Sequence, residues 1–267
     1  MPFTASRVAL GIATAVLVIA GTAVAVQADG DSGPKVVGTP TSSGRPGGAD
    51  PTSTRAELPA ATVKAARETE ADALRGTGLR TPSGWDIVDV RTERHNDRDV
   101  TVIRRQPDGY RLGGPHASVV VDDNGTLLGF TSLDDRLAGA DLPGADRSEW
   151  TALRFLRHAA PDHVDGLDVD WVDPHSEKVV RADGSTATVA GTKVKMHHEN
   201  GLYTWVVIAP DGDVLTYERG IAWDLDQGRR GTQMWLHDSW IAAHDGTGPQ
   251  PEAPYAPVRL SAPSGTS

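Results

Sequence analysis

The sequence predicts an α+β fold made of two helix-plus-antiparallel-sheet units, preceded by an N-terminal transmembrane or signal helix. Three observations lead to this prediction. Candidate helices and strands follow the order helix, strands, helix, strands. Asn-Gly and Asp-Gly pairs separate neighbouring strand-like runs, as they do in antiparallel hairpins. An uncharged run, Val8–Val26, stands near the start of the chain. A repeated order of helix then strands is typical of an α+β domain with internal duplication.

Residues 1–28 have the features of an export segment. As a helix, Val8–Val26 would span roughly 28 Å, which is close to the hydrocarbon thickness of a bilayer. Arg7 precedes this run and Asp29 follows it, so the positive-inside rule leaves the rest of the chain outside. The length favours a retained anchor, whereas the alanines and the small residues near its end favour a cleaved signal peptide. We therefore expect an extracytoplasmic protein, secreted or held by a single pass through residues 8–26.

Two further segments have the composition of flexible chain. Residues 29–55 and 245–267 are rich in Gly, Pro, Ser and Thr, and such segments bury too little apolar surface to fold. We therefore predict a disordered linker at 29–55 and a disordered tail at 245–267. The first α+β unit is then expected at 56–140 and the second at 141–244.

The first unit begins with a predicted helix over Ala60–Leu74. Pro59 stands before this helix, and Gly76 and Gly78 follow it, as is common at helix ends. Asn124-Gly125 is a strong signal for a hairpin between the last two strands of the unit. The predicted strands are Trp85–Arg91, Val100–Arg105, Ala117–Val121 and Thr126–Thr131.

The second unit begins with a helix that ends before Pro161. Asp146 and Glu149 have the spacing of a capping box at its start, and apolar residues recur at helical spacing after them. Turns are predicted at Asn200-Gly201 and Asp211-Gly212. Strand-like runs are Leu167–Val172, Lys178–Arg181, Lys193–His198, Leu202–Ile208 and Val214–Trp223, and a closing helix is predicted over Thr232–His244.

The composition excludes several classes of function. The formal charge of −10 opposes binding to a phosphate backbone, so we expect no nucleic-acid partner. The absence of cysteine excludes disulfides, thiolate zinc sites and cysteine nucleophiles. The sequence contains no phosphate-binding loop and no dinucleotide fingerprint. We therefore predict no cofactor.

One short motif resembles part of a metal site. His198-Glu199 begins like the zinc-peptidase pattern HExxH, but Leu202 stands where the second His is needed. Asn200-Gly201 predicts a turn there, whereas the zinc motif requires a helix. His197 and His198 are neighbours in a strand and point to opposite faces. We therefore predict no metal ligand and no catalytic residue.

The segment 235–240 is the densest group of side chains that could carry chemistry. It contains His237, Asp238 and a serine between two tryptophans. Adjacent helical residues are splayed by about 100°, so these residues cannot form a relay among themselves. Trp235 and Trp240 either dock the closing helix on the sheet or join Trp223 in an aromatic platform. The candidate binding residues are Trp223, Trp235, His237, Asp238 and Trp240.

Two stretches of the chain resemble a known family. RRQPDGYRLGGPHASVVVDDNGTLLGF, at 104–130, resembles a segment in the propeptides of thermolysin-like metallopeptidases, with Gly109, Gly113-Gly114, Val119–Val121 and Asn124-Gly125 as matching positions. SEWTALRFLRHAAPD, followed later by GLYTWVVIAPDGDVLTYE, is similar to the PepSY module of those propeptides. The resemblance covers roughly residues 60–223, and no peptidase domain follows in this sequence. It implies a stand-alone PepSY-like module with an inhibitory, chaperoning or protein-binding role in the cell envelope and no catalytic residues.

Three functional hypotheses follow. The first is an exported, non-enzymatic PepSY-like module that binds or modulates another envelope protein. The second is an extracytoplasmic hydrolase whose site is built from distant residues, and a folded pocket joining His237, Asp238 and a third titratable group would favour it. The third is a cell-wall glycan-binding domain that uses the tryptophans. Burial of Trp235 and Trp240 would remove the support for this third hypothesis.

Overall fold

The computed structural model describes residues 57–258 of the chain. It confirms the α+β class, with α-helices packed on an eight-stranded antiparallel sheet. The predicted export segment at 1–28 and the predicted linker at 29–55 lie outside the described residues. Among the helices of residues 57–258, none is long and apolar enough to cross a membrane.

The helices and strands form two similar halves. The helices are α1 (Ala60–Leu74), α2 (Ala145–Ala159) and α3 (Asp238–His244). The strands of the large sheet are β1 (Asp86–His95), β2 (Arg98–Gln106), β3 (His116–Asp122), β4 (Leu127–Leu133), β5 (Leu167–Val180), β6 (Thr186–His198), β7 (Tyr203–Ile208) and β8 (Val214–Ile221). Each half is therefore one helix followed by four strands. A short ribbon of β9 (Trp223–Asp224) and β10 (Arg229–Arg230) precedes α3.

The two halves join through their last strands. The strand order is β1-β2-β3-β4-β8-β7-β6-β5, so each half is a meander and β4 pairs with β8. In this pairing Phe130 lies opposite Tyr217. The two predicted units, 56–140 and 141–244, therefore contribute to a single continuous sheet.

Helices α1 and α2 cover one face of this sheet, which we call the helix face. Phe155 and Leu156 of α2 are buried there against Val206 and Tyr217. The predicted capping box is wrong, because α2 begins after Gly144 and has no side-chain cap. Ser148 Oγ instead donates to the Gly144 carbonyl at 3.0 Å. The apolar periodicity therefore predicted α2 correctly, whereas the predicted capping pair does not form.

The opposite face carries α3 and the C-terminal chain, and we call it the ion-pair face. The predicted closing helix over Thr232–His244 is too long, because α3 begins only at Asp238. The preceding residues run non-helically and bury Trp235 and Leu236 against β2, β3 and β4. The buried contacts of this segment with the sheet therefore replace its helical hydrogen bonds.

Residues 245–258 also differ from the prediction of a disordered tail. Ala256 is buried, and its carbonyl accepts a hydrogen bond from Trp240 Nε1 at 3.1 Å. The Asp245 carboxylate forms an ion pair with Arg91. Local composition predicts no structure here because it does not show these partners, of which Arg91 lies 154 positions from Asp245.

One long edge strand replaces two predicted short ones. The sequence predicts separate strands at Leu167–Val172 and Lys178–Arg181, but β5 runs without interruption through Pro174. Proline lacks an N–H and is tolerated on an edge strand, where that group has no ladder partner. The position of β5 at the sheet edge therefore explains why Pro174 does not break it.

Candidate functional site

A pocket on the ion-pair face brings together residues from distant parts of the chain. Its volume is about 610 Å³, and it lies between the start of α3, the loop before β3 and the end of β5. Its titratable lining residues include His116, Glu177, His237, Asp238 and Tyr255. We call it the His237 pocket. A pocket that joins His237, Asp238 and a third titratable group is the arrangement that favours a hydrolase. Whether it could act as one depends on the protonation and the partners of each charged group.

Asp238 is fully engaged by neighbouring donors. Arg104 donates to its two carboxylate oxygens at 2.6 and 2.8 Å, and the Gly113 N–H donates at 2.6 Å. Burial alone raises the pKa of Asp238, but His116, Arg104 and the Gly113 N–H outweigh it and hold the pKa below its usual value. Asp238 therefore stays ionised and holds the start of α3 against the sheet.

His116 lies beside this ion pair, with its Nδ1 3.6 Å from Asp238. Burial lowers its pKa, and the positive charge of Arg104 lowers it further. Its Nδ1 lies 2.9 Å from the Gly114 carbonyl, and a carbonyl only accepts, so Nδ1 carries the proton. His116 therefore acts as a hydrogen-bond donor to the loop before β3.

His237 lies between two carboxylates. Its Nε2 is 3.2 Å from Glu218 Oε1, and its Nδ1 is 3.7 Å from Glu177 Oε1. Burial raises the pKa of Glu218, but Arg230 and His237 hold it well below the usual range. The pKa of Glu177 is also low, because the hydrogen bond from His175 and the charge of His237 outweigh burial. Both carboxylates are thus acceptors at neutral pH, and neither is a protonated acid.

The pocket therefore has a histidine–carboxylate pair without an aligned nucleophile. In the region from 57 to 258, the hydrogen bond of His237 is to Glu218 and not to the hydroxyl of Ser239. Within the same described region, no cluster of three His, Asp or Glu residues could hold a metal ion. The geometry allows His237 to exchange a proton with a bound molecule.

A second candidate surface lies on the ion-pair face over strands β5 to β7. It contains aromatic rings and lysines on neighbouring strands, and we call it the aromatic–lysine face. Its members are Trp171, Lys193, Lys195, Tyr203, Trp205 and Trp223.

The sheet register creates this surface. Trp171 of β5 lies opposite Lys195 of β6, which lies opposite Trp205 of β7, and Glu218 of β8 completes the row. Residues directly opposite each other on adjacent strands point to the same face. The alternation of ring and ammonium is therefore fixed by strand pairing.

Lys195 occupies a cage of aromatic rings. Its Nζ is 4.2 Å from the ring centroid of Tyr203, 5.8 Å from that of Trp171 and 5.9 Å from that of Trp223. Ammonium groups are attracted to ring faces within about 6 Å. The Asp170 carboxylate at 3.6 Å supplies a counter-charge. Lys195 is therefore satisfied within the chain.

Lys193 has a different environment. Its Nζ lies 4.0 Å from the centroid of Trp205 and 6.0 Å from that of Trp171. Burial lowers its pKa to about 8, because the attraction of Glu218 does not compensate for lost hydration. Asp173 faces it in the register, yet no ion pair involving Lys193 occurs between residues 57 and 258. Trp171 beside it is 41% exposed.

The five predicted site residues separate into three environments. Trp223 borders the aromatic–lysine face, whereas His237 and Asp238 line the His237 pocket. Trp235 and Trp240 are each only 2% exposed, and their rings meet edge to face at 4.7 Å. These two tryptophans dock α3 and the segment before it, so their rings do not form a platform for a glycan.

Sequence reasoning missed most of the aromatic–lysine face. Lys193 and Lys195 are two residues apart, which places them on one side of a strand. The turn at Asn200-Gly201 could have located Trp205 opposite Lys195. The pairing of Trp171 with Lys195 was hidden, because β5 was divided in two and its register contains a bulge.

Comparison of the chain with protein-family models, with curated proteins and with solved structures finds no match in any of the three.

Proposed function

We propose that this chain is an extracytoplasmic, non-enzymatic PepSY-like module that binds another cell-envelope protein through the aromatic–lysine face. The resemblance of residues 60–223 to PepSY modules supports the class, and the export features of residues 1–28 support the location. The order of helix and four strands in each half agrees with this class.

One observation favours the aromatic–lysine face as the binding surface. The aromatic–lysine face holds an exposed indole, Trp171, next to a half-buried cation, Lys193, that lacks a carboxylate partner. Tryptophan is enriched at the centres of protein interfaces, where burial against a partner releases the most free energy. A partner that covers both groups explains their presence.

Site-specific photo-crosslinking in the producing cells tests this proposal. A photoreactive phenylalanine analogue replaces Trp171 in the full chain. A second chain carries it in place of Trp150, which is 59% exposed on α2 and serves as a matched control. We expect a discrete heavier adduct from position 171 and none from position 150. Adducts of equal yield at both positions, or none at position 171, would contradict the proposal.

The His237 pocket supports a second candidate, an extracytoplasmic hydrolase that activates water through His237. The observation in its favour is that His237 and Glu177 line a cavity of about 610 Å³, where His237 also contacts the buried carboxylate of Glu218. The observation against it is that the ionised carboxylates of Asp238 and Glu218 already form ion pairs with Arg104 and Arg230. Hydrolysis usually needs a general acid or an activated nucleophile besides a base.

Activity of the full chain and of His237→Gln separates the two candidates. The assay uses fluorogenic ester, peptide and glycoside substrates, and glutamine can still hydrogen-bond Glu218. We expect no turnover by either chain. Turnover by the unaltered chain that His237→Gln abolishes would establish the hydrolase.

A further inference from the structure

Lys193 differs from the buried cations around it. On the ion-pair face, Arg91, Arg104 and Arg230 each have a carboxylate within 2.7 Å. Lys193 has ring faces near it, and Glu218 and Glu177 act on it only at longer range. A half-buried ammonium without a carboxylate within ion-pair distance is costly, and proteins usually pair such groups. A complementary charge supplied from outside the chain would remove that cost.

The surroundings of Lys193 restrict how such a charge can approach. Trp205 is buried against the sheet, so its ring closes the inner side of Lys193. Trp171 on β5 is the exposed ring on the outer side. A group that reaches the ammonium from solvent therefore comes close to the indole of Trp171. The ligand must combine an anionic group with an adjacent apolar one.

The edge of the sheet makes strand addition an unfavourable binding mode. An extended peptide that joins β5 would need a continuous row of backbone donors and acceptors. Pro174, near the middle of β5, has no N–H to contribute. The charged residues Asp173 and Lys178 on the same strand are exposed and discourage edge pairing. The ligand therefore lies across the face of the sheet and not along its edge.

We infer that the partner presents an acidic segment, in which an Asp or Glu carboxylate pairs with Lys193 and a neighbouring apolar side chain covers Trp171. This inference rests on the proposed function and names the chemistry of the partner. The chain carries a net charge of −10 and repels acidic molecules at long range. Recognition therefore depends on the local pair at Lys193, which burial protects from screening, whereas salt weakens the long-range repulsion.

Selection from a library of random peptides displayed on phage tests the inference with the full chain as target. Binding of the selected peptides is then measured by fluorescence polarisation. We expect selected sequences to carry Asp or Glu next to an aromatic or aliphatic residue. Lys193→Met should weaken their binding about tenfold or more, because it removes one partner of a buried charge pair. Lys193→Arg should retain most of the binding, and Trp171→Ala should weaken it.

Two controls separate lost recognition from lost folding. Lys64 on α1 is exposed on the helix face, and Lys64→Met should leave peptide binding unchanged. Lys193→Met should melt at the same temperature as the unaltered chain or higher, since it removes an uncompensated half-buried charge.

The other outcomes distinguish this inference from the proposed function. Selected peptides that need Trp171 but contain no acidic residue and tolerate Lys193→Met would overturn the inference and leave the binding face intact. Binding of a galacturonic acid polysaccharide through Lys193, with no selected peptide bound, would overturn the acidic protein segment in favour of a glycan. Selected peptides that tolerate both Trp171→Ala and Lys193→Met would overturn both proposals.

Discussion

The two faces of the sheet are stabilised by different interactions. On the helix face, α2 buries mainly apolar side chains such as Leu156, and α1 buries Ala66 together with one charged residue, Glu70, which pairs with Arg105 of β2. On the ion-pair face, α3 and residues 245–258 are attached through buried charges as well as apolar contacts. Arg104–Asp238 and Arg91–Asp245 join residues 134 and 154 positions apart. Apolar packing tolerates small shifts of position, whereas bidentate ion pairs fix both distance and direction.

This difference explains the arrangement around His237. Arg104 holds the first residue of α3, Asp238, and Arg230 holds Glu218. His237 lies between these two ion pairs and hydrogen-bonds Glu218. The charged residues that resemble a catalytic group thus also fix α3 and the chain before it. A cluster of charges at a pocket can be structural when each member has a partner of opposite charge.

Of the three substitutions that test this difference between the two faces, Arg230→Met should lower the free energy of unfolding most. Removal of this guanidinium leaves Glu218 buried without its main counter-charge, and breaking a buried pair costs about 3–5 kcal/mol. We expect the free energy of unfolding, measured in urea, to fall by this amount. Adding Glu218→Gln should recover part of the loss. Arg94→Ala, at an exposed pair with Asp99, should change stability by less than about 0.5 kcal/mol. Equal effects of Arg230→Met and Arg94→Ala would contradict the importance of the buried pair.

A cavity variant probes the helix face in the same way. Leu156 of α2 is fully buried, and Leu156→Ala should cost about 3 kcal/mol, within the range for buried leucines. Because its effect is steric, the loss should be the same at neutral and mildly acidic pH. Urea unfolding at both values measures this. A loss that changes strongly with pH would show that the two faces are coupled.

The smallest of the three effects concerns the acid sensitivity of the ion-pair face. Burial, aided by Arg230, lowers the pKa of His95 to about 4, and neither ring nitrogen has a hydrogen-bond partner in residues 57–258. Between about pH 6.5 and 4 the unfolded chain binds a proton that the folded chain does not, so stability falls as pH falls. At about pH 5 this costs about 2 kcal/mol relative to neutral pH.

His95→Leu removes this part of the pH dependence. We expect the difference in unfolding free energy between neutral pH and about pH 5 to shrink by about 2 kcal/mol in the variant. His158→Gln, at an exposed position of α2, should leave the difference unchanged. A pH dependence of His95→Leu equal to that of the unaltered chain would show that His95 is not protected in the folded state.

The sequence located elements whose signals are local. The helix over Ala60–Leu74 has the predicted bounds, since proline before it and glycines after it act within a few residues. The hairpin at Asn124-Gly125 formed as expected, because Gly125 adopts the positive φ that this turn requires. The predicted turn at Asn200-Gly201 also formed, since that segment closes a hairpin in which the His198 N–H donates to the Leu202 carbonyl.

The structures of the segment before α3 and of residues 245–258 depend on contacts with other segments of the chain, which local sequence patterns do not show. The segment before α3 is predicted as helix, yet it runs non-helically and buries Trp235 and Leu236 against the sheet. The composition of residues 245–258 predicts disorder. In the structure, Asp245 forms an ion pair with Arg91, and the Ala256 carbonyl accepts a hydrogen bond from Trp240.

By itself, the sequence determined the α+β class, the helix-then-strands order of each half and the principal turns. These properties follow from propensity and periodicity over a few residues. Only the tertiary structure decided that β4 pairs with β8, that Trp235 and Trp240 are interior, and that Trp171, Lys193 and Trp205 meet on one face. Strand pairing and ion-pair choice depend on which distant segments compete for the same surface, and a local pattern carries no information about that competition.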